Sequence, residues 1–140
     1  MTPLDRIHER VSRNGDVNDA TTPRPLITLA EFFEGNDVDG SIGCNLTPVP
    51  TPKEFYEVLK SIANRPDVVD VRVQITMFDI PEWPFSDTVW VITSAPPEEV
   101  ASWFDEDMRP DECCAGWQEG VAIEPCSVPT GMNPVMCWWD

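Results

Sequence analysis

Between Val68 and Ser94 the pattern of apolar and polar residues changes character, and the rest of the chain can be read outward from there. In VVDVRVQITM, Val69, Val71, Val73, Ile75 and Met77 fall on one side and Asp70, Arg72, Gln74 and Thr76 on the other. That period of two predicts a strand with one buried face. Over Thr88–Thr93, Val89, Trp90, Val91 and Ile92 follow without a polar break, which predicts a strand covered on both faces. The connection Asp79–Asp87, DIPEWPFSD, carries two prolines. It is too long for a two-residue turn, so the two strands form a hairpin with an elaborated loop.

Helical spacing appears on either side of this hairpin. Over Thr51–Asn64, Phe55, Val58, Leu59 and Ile62 form one apolar stripe, Thr51 and Glu54 make a capping box, and Pro52 takes the first helical position. Thr28 and Glu31 make a second box, and Gly35 sits where a left-handed cap belongs, which predicts a short helix over Ile27–Gly35. APPEEVASWFDED predicts a further helix that buries Val100, Trp103 and Phe104. It should fray at Asp105, Glu106 and Asp107, because the helix dipole disfavours acids at the C-terminal end. Ile42, Cys44 and Leu46 alternate with Ser41, Gly43 and Asn45 as a short strand; residues 112–117 and 135–139 are read as two more, the second at a sheet edge. Residues 1–25 hold a short helix at most (Leu4, Ile7, Val11) and then a polar, proline-containing stretch, so they are expected to be a flexible lead-in to one α+β domain over 26–140. From Ser41 the order is strand, helix, strand, strand, helix, strand. That order predicts a ferredoxin-like split β-α-β sandwich, an antiparallel sheet with two helices on one face and added terminal segments.

Charge narrows the range of functions. The chain of 140 residues has a formal net charge of −16. Through Phe78 there are 12 acids against 8 bases; from Asp79 onward there are 13 acids against Arg109 alone. Such a surface repels polyphosphate, so neither nucleic acid nor an anionic membrane is an expected partner; it suits either plain solubility or a basic protein partner. No run approaches the roughly 20 apolar residues of a membrane-spanning helix. The N-terminus lacks the apolar segment of a secretory signal, so the cytoplasm is the expected compartment.

Little catalytic chemistry is encoded. The one histidine, His8, lies in the lead-in, which leaves a serine or cysteine nucleophile without a placed base and a metal without imidazole. Phosphate-cradling glycine motifs are missing. Asp37, Asp39 and Gly40 imitate the middle of a calcium loop, but its first and twelfth positions would be Gly35 and Leu46, where acids are needed. The five cysteines (Cys44, Cys113, Cys114, Cys126, Cys137) are odd in number and contain no C-x-x-C, so reduced, mostly buried thiols are expected. No catalytic, cofactor or metal residues are assigned. An enzyme would have to use carboxylates or the Cys113/Cys114 pair. What stands out is the aromatic and acidic loop with the C-terminal segment: Glu82, Trp83, Phe85, Asp87, Trp138 and Trp139 form the candidate interaction surface, unless the rings fold back over the sheet.

The strings AEFFEGN, GSIGCNL, WPFSD with VWVITSAPPEEV, and the terminal WWD resemble a group of small acidic bacterial proteins of uncharacterised function. The resemblance covers roughly Leu26 to Trp117 and the last residues. It implies a bacterial cytosolic origin and brings no activity or site residues with it. In size and charge the chain is also similar in kind to toxin-neutralising immunity proteins. The expected function is therefore that of a non-enzymatic acidic module that binds a protein partner, an immunity-type inhibitor of a basic partner being one instance. A small-molecule-sensing or homo-oligomeric ferredoxin-like module is the alternative.

Overall fold

A computed structural model describes residues 1–140. Five strands, β1 (Leu26–Thr28), β2 (Val68–Gln74), β3 (Thr88–Thr93), β4 (Glu112–Ala115) and β5 (Asn133–Trp138), form one sheet in the order β1-β2-β3-β5-β4, antiparallel at every pairing. β3 is buried at all six positions, as its unbroken apolar run requires. β2 departs from strict alternation. A bulge between Val68 and Asp70 shifts the register, so Val68 enters the core with Val71 and Val73 while Val69 is 48% exposed. One extra residue reverses which side chains face inward.

The predicted split β-α-β order is not the one found. Ser41–Leu46 is no strand: Gly40 and Gly43 take φ of +85° and +69°, which breaks the extended backbone, and only Ile42 pairs, in a single parallel bridge to Ser86. The first strand lies earlier, at Leu26–Thr28, and pairs with β2 at the sheet edge. β5 is not at an edge either. Pro134–Cys137 are all buried, so the strand sits between β3 and β4. The α+β class stands, with a different strand order.

Helices α1 (Pro3–Val11), α2 (Leu29–Phe33) and α3 (Pro52–Ala63) each begin with a closed capping box, Thr2/Asp5, Thr28/Glu31 and Thr51/Glu54. α3 buries Phe55, Leu59 and Ile62 against the sheet, contributing about 5–9 kcal/mol before chain entropy is subtracted. α4 (Pro97–Ser102) stops at Trp103, and the acidic stretch after it forms only a 3-10 turn, Glu106–Met108.

The opposite sheet face carries Leu26, Trp90 and Met136, and the long segment between β4 and β5 straps across it. There Trp117 lies 4.5 Å from the Trp90 ring, and Ile123 and Cys126 pack on the cluster. The strap is pinned by a parallel bridge between Arg24 and Ile123 and by a polar network around Arg10.

The first 25 residues are not a loose lead-in. Ile7, Val11 and Val17 belong to the main core. Arg10, 8% exposed, donates to Glu31 at 3.0 Å, to both Glu124 oxygens at 2.5 and 2.9 Å, and to the Leu26 carbonyl. Arg24 donates to the carbonyls of Val17, Asp19, Thr22 and Thr76, so its buried guanidinium is solvated by backbone alone. Burial pushes the Glu124 carboxyl up. The bonds from Arg10 and Asn14, the Arg10 charge and the Leu26 N–H outweigh it and hold the group below the usual carboxylate value.

Glu124→Ala should lower stability at neutral pH by about 2 kcal/mol, because Arg10 keeps Glu31 but loses its bidentate partner. The Glu124 pKa is depressed on folding, so its contribution is full above the ordinary glutamate value of 4.5 and disappears as pH falls through the lower folded-state value. Urea midpoints of wild type and variant should therefore converge in acid. Gly43→Ala should cost about 2–4 kcal/mol in the same measurement. Gly43 has φ +69°, and its new Cβ would lie 2.5 Å from the buried Phe55 ring.

Candidate functional site

Local rules build a groove at the end of the β2–β3 hairpin. The strands stay paired beyond the sheet through Phe85, whose N–H donates to the Met77 carbonyl at 2.8 Å and whose carbonyl accepts from Thr76 N–H at 2.9 Å. The Ser86 hydroxyl, fully buried, donates to the Gln74 carbonyl at 2.6 Å and so locks the base of the loop. Trp83 then folds down: its indole N–H donates to the Phe32 carbonyl at 3.0 Å, one of the carbonyls that the end of α2 leaves without an intrahelical partner. On the other side the chain leaving α2 turns sharply. Asn36 accepts from Val38 N–H and donates to the Ser41 hydroxyl, while Ser86 N–H donates to the Ser41 carbonyl.

Between these two loops lies an open groove of about 320 Å³. Val38, Met77, Ile80, Trp83 and Phe85 give it apolar walls, and Asp39, Asp79 and Cys44 stand among them. Ile80 is 42% and Met77 37% exposed, large for aliphatic side chains held on a fixed hairpin. Glu82 and Asp37 are exposed next to these walls in sequence. The groove can accept an apolar side chain or short segment and attract positive charge at its rim. The clefts beside the strap (about 320 Å³) and between α1 and α2 (about 230 Å³) differ in character. The first is partly formed by Glu124, which is committed to Arg10, and the second is lined by four charged residues, Arg6, Arg10, Glu31 and Glu34, of which Arg10 and Glu31 are paired with each other.

The residues singled out from sequence separate into two groups. Trp83 and Phe85 meet at the groove, Phe85 half-buried in a wall and Trp83 buried as its floor, while Glu82 is exposed beside Trp83 in sequence and does not line it. Trp83 is only 3% exposed, so it is a support for the groove and not an exposed anchor. Asp87 is half-buried and accepts hydrogen bonds from the Thr76 and Thr88 hydroxyls, both at 2.8 Å. Trp139 is core: its N–H donates to the Met108 carbonyl and its ring meets Phe55 and Phe104 edge-on. Trp138 packs half-buried beside the second-face cluster. Sequence reasoning missed Val38, Asp39, Cys44, Met77 and Ile80. For Met77 the signal was present, since its alternation continued past the point where the sheet could cover it.

The other candidate chemistry is dispersed. Cys113 and Cys114 are adjacent on β4, so their side chains leave on opposite faces: Cys113 packs on the main core and Cys114 on the second-face cluster. The His8 ring packs on Phe78 at 4.4 Å. No three His, Cys, Asp or Glu side chains gather as metal ligands, and no helix is long and apolar enough to cross a membrane.

The model of the uncharacterized protein YfbO family matches residues 2–137. A protein of Escherichia coli (strain K12), described as "Uncharacterized protein YfbO", is 53% identical over 140 residues, covering 100% of both chains. No solved structure matches the chain. With nearly every residue inside the family model and a full-length relative at that identity, this chain belongs to the uncharacterized protein YfbO family.

Proposed function

We infer that this protein is a non-catalytic binding module of the bacterial cytoplasm, and that the hairpin groove takes an apolar segment of a basic protein partner. The observation that carries this reading is the juxtaposition of exposed Ile80 and Met77 with Asp39 and Asp79 in one groove held rigid by Trp83. Apolar walls supply the contact area, and the acids at the rim supply steering and orientation.

The charge distribution supports the same partner. Of the nine cationic residues, Arg10, Lys60, Arg65 and Arg72 are held in internal ion pairs, and Arg24 is spent on backbone carbonyls. The surface is thus left more one-sidedly acidic than composition alone suggests. Encounter with a basic partner is accelerated by such a field and slowed by salt. Inhibition of a basic partner, in the manner of an immunity protein, is one form this binding would take.

The test compares partner capture by wild type and by two variants, Ile80→Asp and Asp39→Lys/Asp79→Lys. Both change exposed or rim positions, so circular dichroism and the thermal midpoint should match wild type. A partner engaged through the groove should bind Ile80→Asp about 30- to 100-fold more weakly, the loss of about 2–3 kcal/mol typical of a buried anchor. The charge-reversed variant should bind with a slower association rate and a weaker salt dependence. Proteins captured equally by wild type and Ile80→Asp would dismiss the groove.

A further inference from the structure

A second chemistry stands apart from the groove. Cys113 on β4 and Cys137 on β5 are direct register partners, with their Sγ atoms 3.8 Å apart. Neither is bonded to another cysteine. Gly116 N–H donates to the Pro134 carbonyl, and Trp139 N–H donates to the Asp87 carbonyl. Hydrogen-bonded positions recur every second residue, so these two bonds direct the Cys137 backbone toward β3 and make Cys113/Cys137 a non-hydrogen-bonded pair between β4 and β5. In such pairs the Cα atoms approach to about 4.5 Å, inside the roughly 4.4–6.8 Å that a disulfide spans. Small rotations about the two Cα–Cβ bonds suffice to bring the sulfurs to about 2.05 Å.

We propose that Cys113 and Cys137 are a reversible thiol–disulfide couple that takes hydrogen peroxide as its oxidant. The two thiols have different access. Cys137 is completely buried, whereas Cys113 is partly open at the sheet edge. Cys113 is therefore the sulfur that meets the oxidant. Its thiolate takes the terminal peroxide oxygen; the O–O bond breaks, and the departing hydroxide collects a proton as water. Cys113 is left as a sulfenic acid. The Cys137 sulfur then attacks Cys113, the S–O bond breaks as S–S forms, and the hydroxide leaves as water with the Cys137 proton. In sum two thiols and one hydrogen peroxide give one disulfide and two waters.

The neighbouring groups favour this order. The hydrogen bond shared with Cys137 holds the Cys113 thiol below its usual pKa, against burial and the Glu112 charge. The Cys113 bond and burial push Cys137 well up. Cys114 is held up by Glu112 and Cys126 by burial, so neither competes as a ready thiolate. The bond would tie the edge strand to β5 and close a ring containing the whole strap. The ring shortens the unfolded chain's freedom and should raise the thermal midpoint by about 10 °C.

The experiment treats the reduced full-length protein with equimolar hydrogen peroxide at neutral pH and follows intact mass and non-reducing peptide maps. The expected product has lost two hydrogens, yields a Cys113–Cys137 linked peptide, melts higher, and returns to starting mass with dithiothreitol. Cys137→Ala, which keeps a small apolar side chain in the core, should form no link and should accumulate a Cys113 sulfenic acid trapped by dimedone. The variant Cys44→Ser/Cys114→Ser/Cys126→Ser should cross-link at the wild-type rate. A bridge between other cysteines, oxygen uptake at Cys113 without a bridge in wild type, or no reaction would each overturn the proposal.

Discussion

A central strand buried at every position makes a demand that shapes the whole molecule: both faces of the sheet must be kept from water. Helices α2, α3 and α4 meet that demand on one side with ordinary amphipathic packing. On the other side the chain uses an irregular strap, which has little secondary structure to fix its path. Its position is instead determined by one short backbone bridge, Arg24 to Ile123, and by side chains, Trp117 over Trp90 and Glu124 clamped on Arg10. The apolar cluster under the strap is small, with Leu26, Trp90 and Met136 as its buried members. Polar contacts of good geometry therefore decide where the strap lies, while hydrophobic area supplies most of the favourable free energy.

The Arg10 network also explains why the N-terminal segment is ordered. One guanidinium reaches α2 through Glu31, β1 through the Leu26 carbonyl, and the strap through Glu124. Three stretches far apart in sequence, α1, the β1–α2 segment and the strap, thereby share one buried charge. An ion pair of this kind gives little net stabilisation relative to an apolar substitute, yet removing one partner is costly because the other charge stays buried. Its value lies in orientation: the strap has one place to go. Arg24 acts in the same way with carbonyl oxygens alone. These uses of cations leave the acids of the surface largely uncompensated, so a packing solution in the interior produces the electrostatic character of the exterior.

The groove and the thiol pair arise from the two ends of the same logic. Where the hairpin runs past the edge of the sheet, Met77 and Ile80 keep their apolar character with nothing left to cover them. Trp83 folds onto α2 and fixes the loop, so these side chains are held in place in the open. Where β4 pairs with β5, the register brings two sulfurs together across the strands, one sealed in the core and the other at the rim. Both features are properties of pairing beyond the reach of local sequence rules. The loop was recognisable as unusual from its aromatic and acidic residues, yet its largest ring proved to be the floor of a groove whose opposite side comes from Val38–Cys44.

Local chemistry alone determined the capping boxes that start α2 and α3, the apolar stripe of α3, the doubly buried β3 and the acidic imbalance, because each depends on residues a few positions apart or on a sum. Membership of a bacterial family of uncharacterised function was also legible in short motif strings. Strand order, the edge position of β1, the interior position of β5 and the bulge that turns Val69 outward depended on competition among distant segments for the same sheet positions. Periodicity cannot report a one-residue register shift, and it cannot say which of two apolar strands wins the central place. The meeting of Cys113 with Cys137, and of Ile80 with Asp39, was decided only when tertiary packing brought those segments side by side.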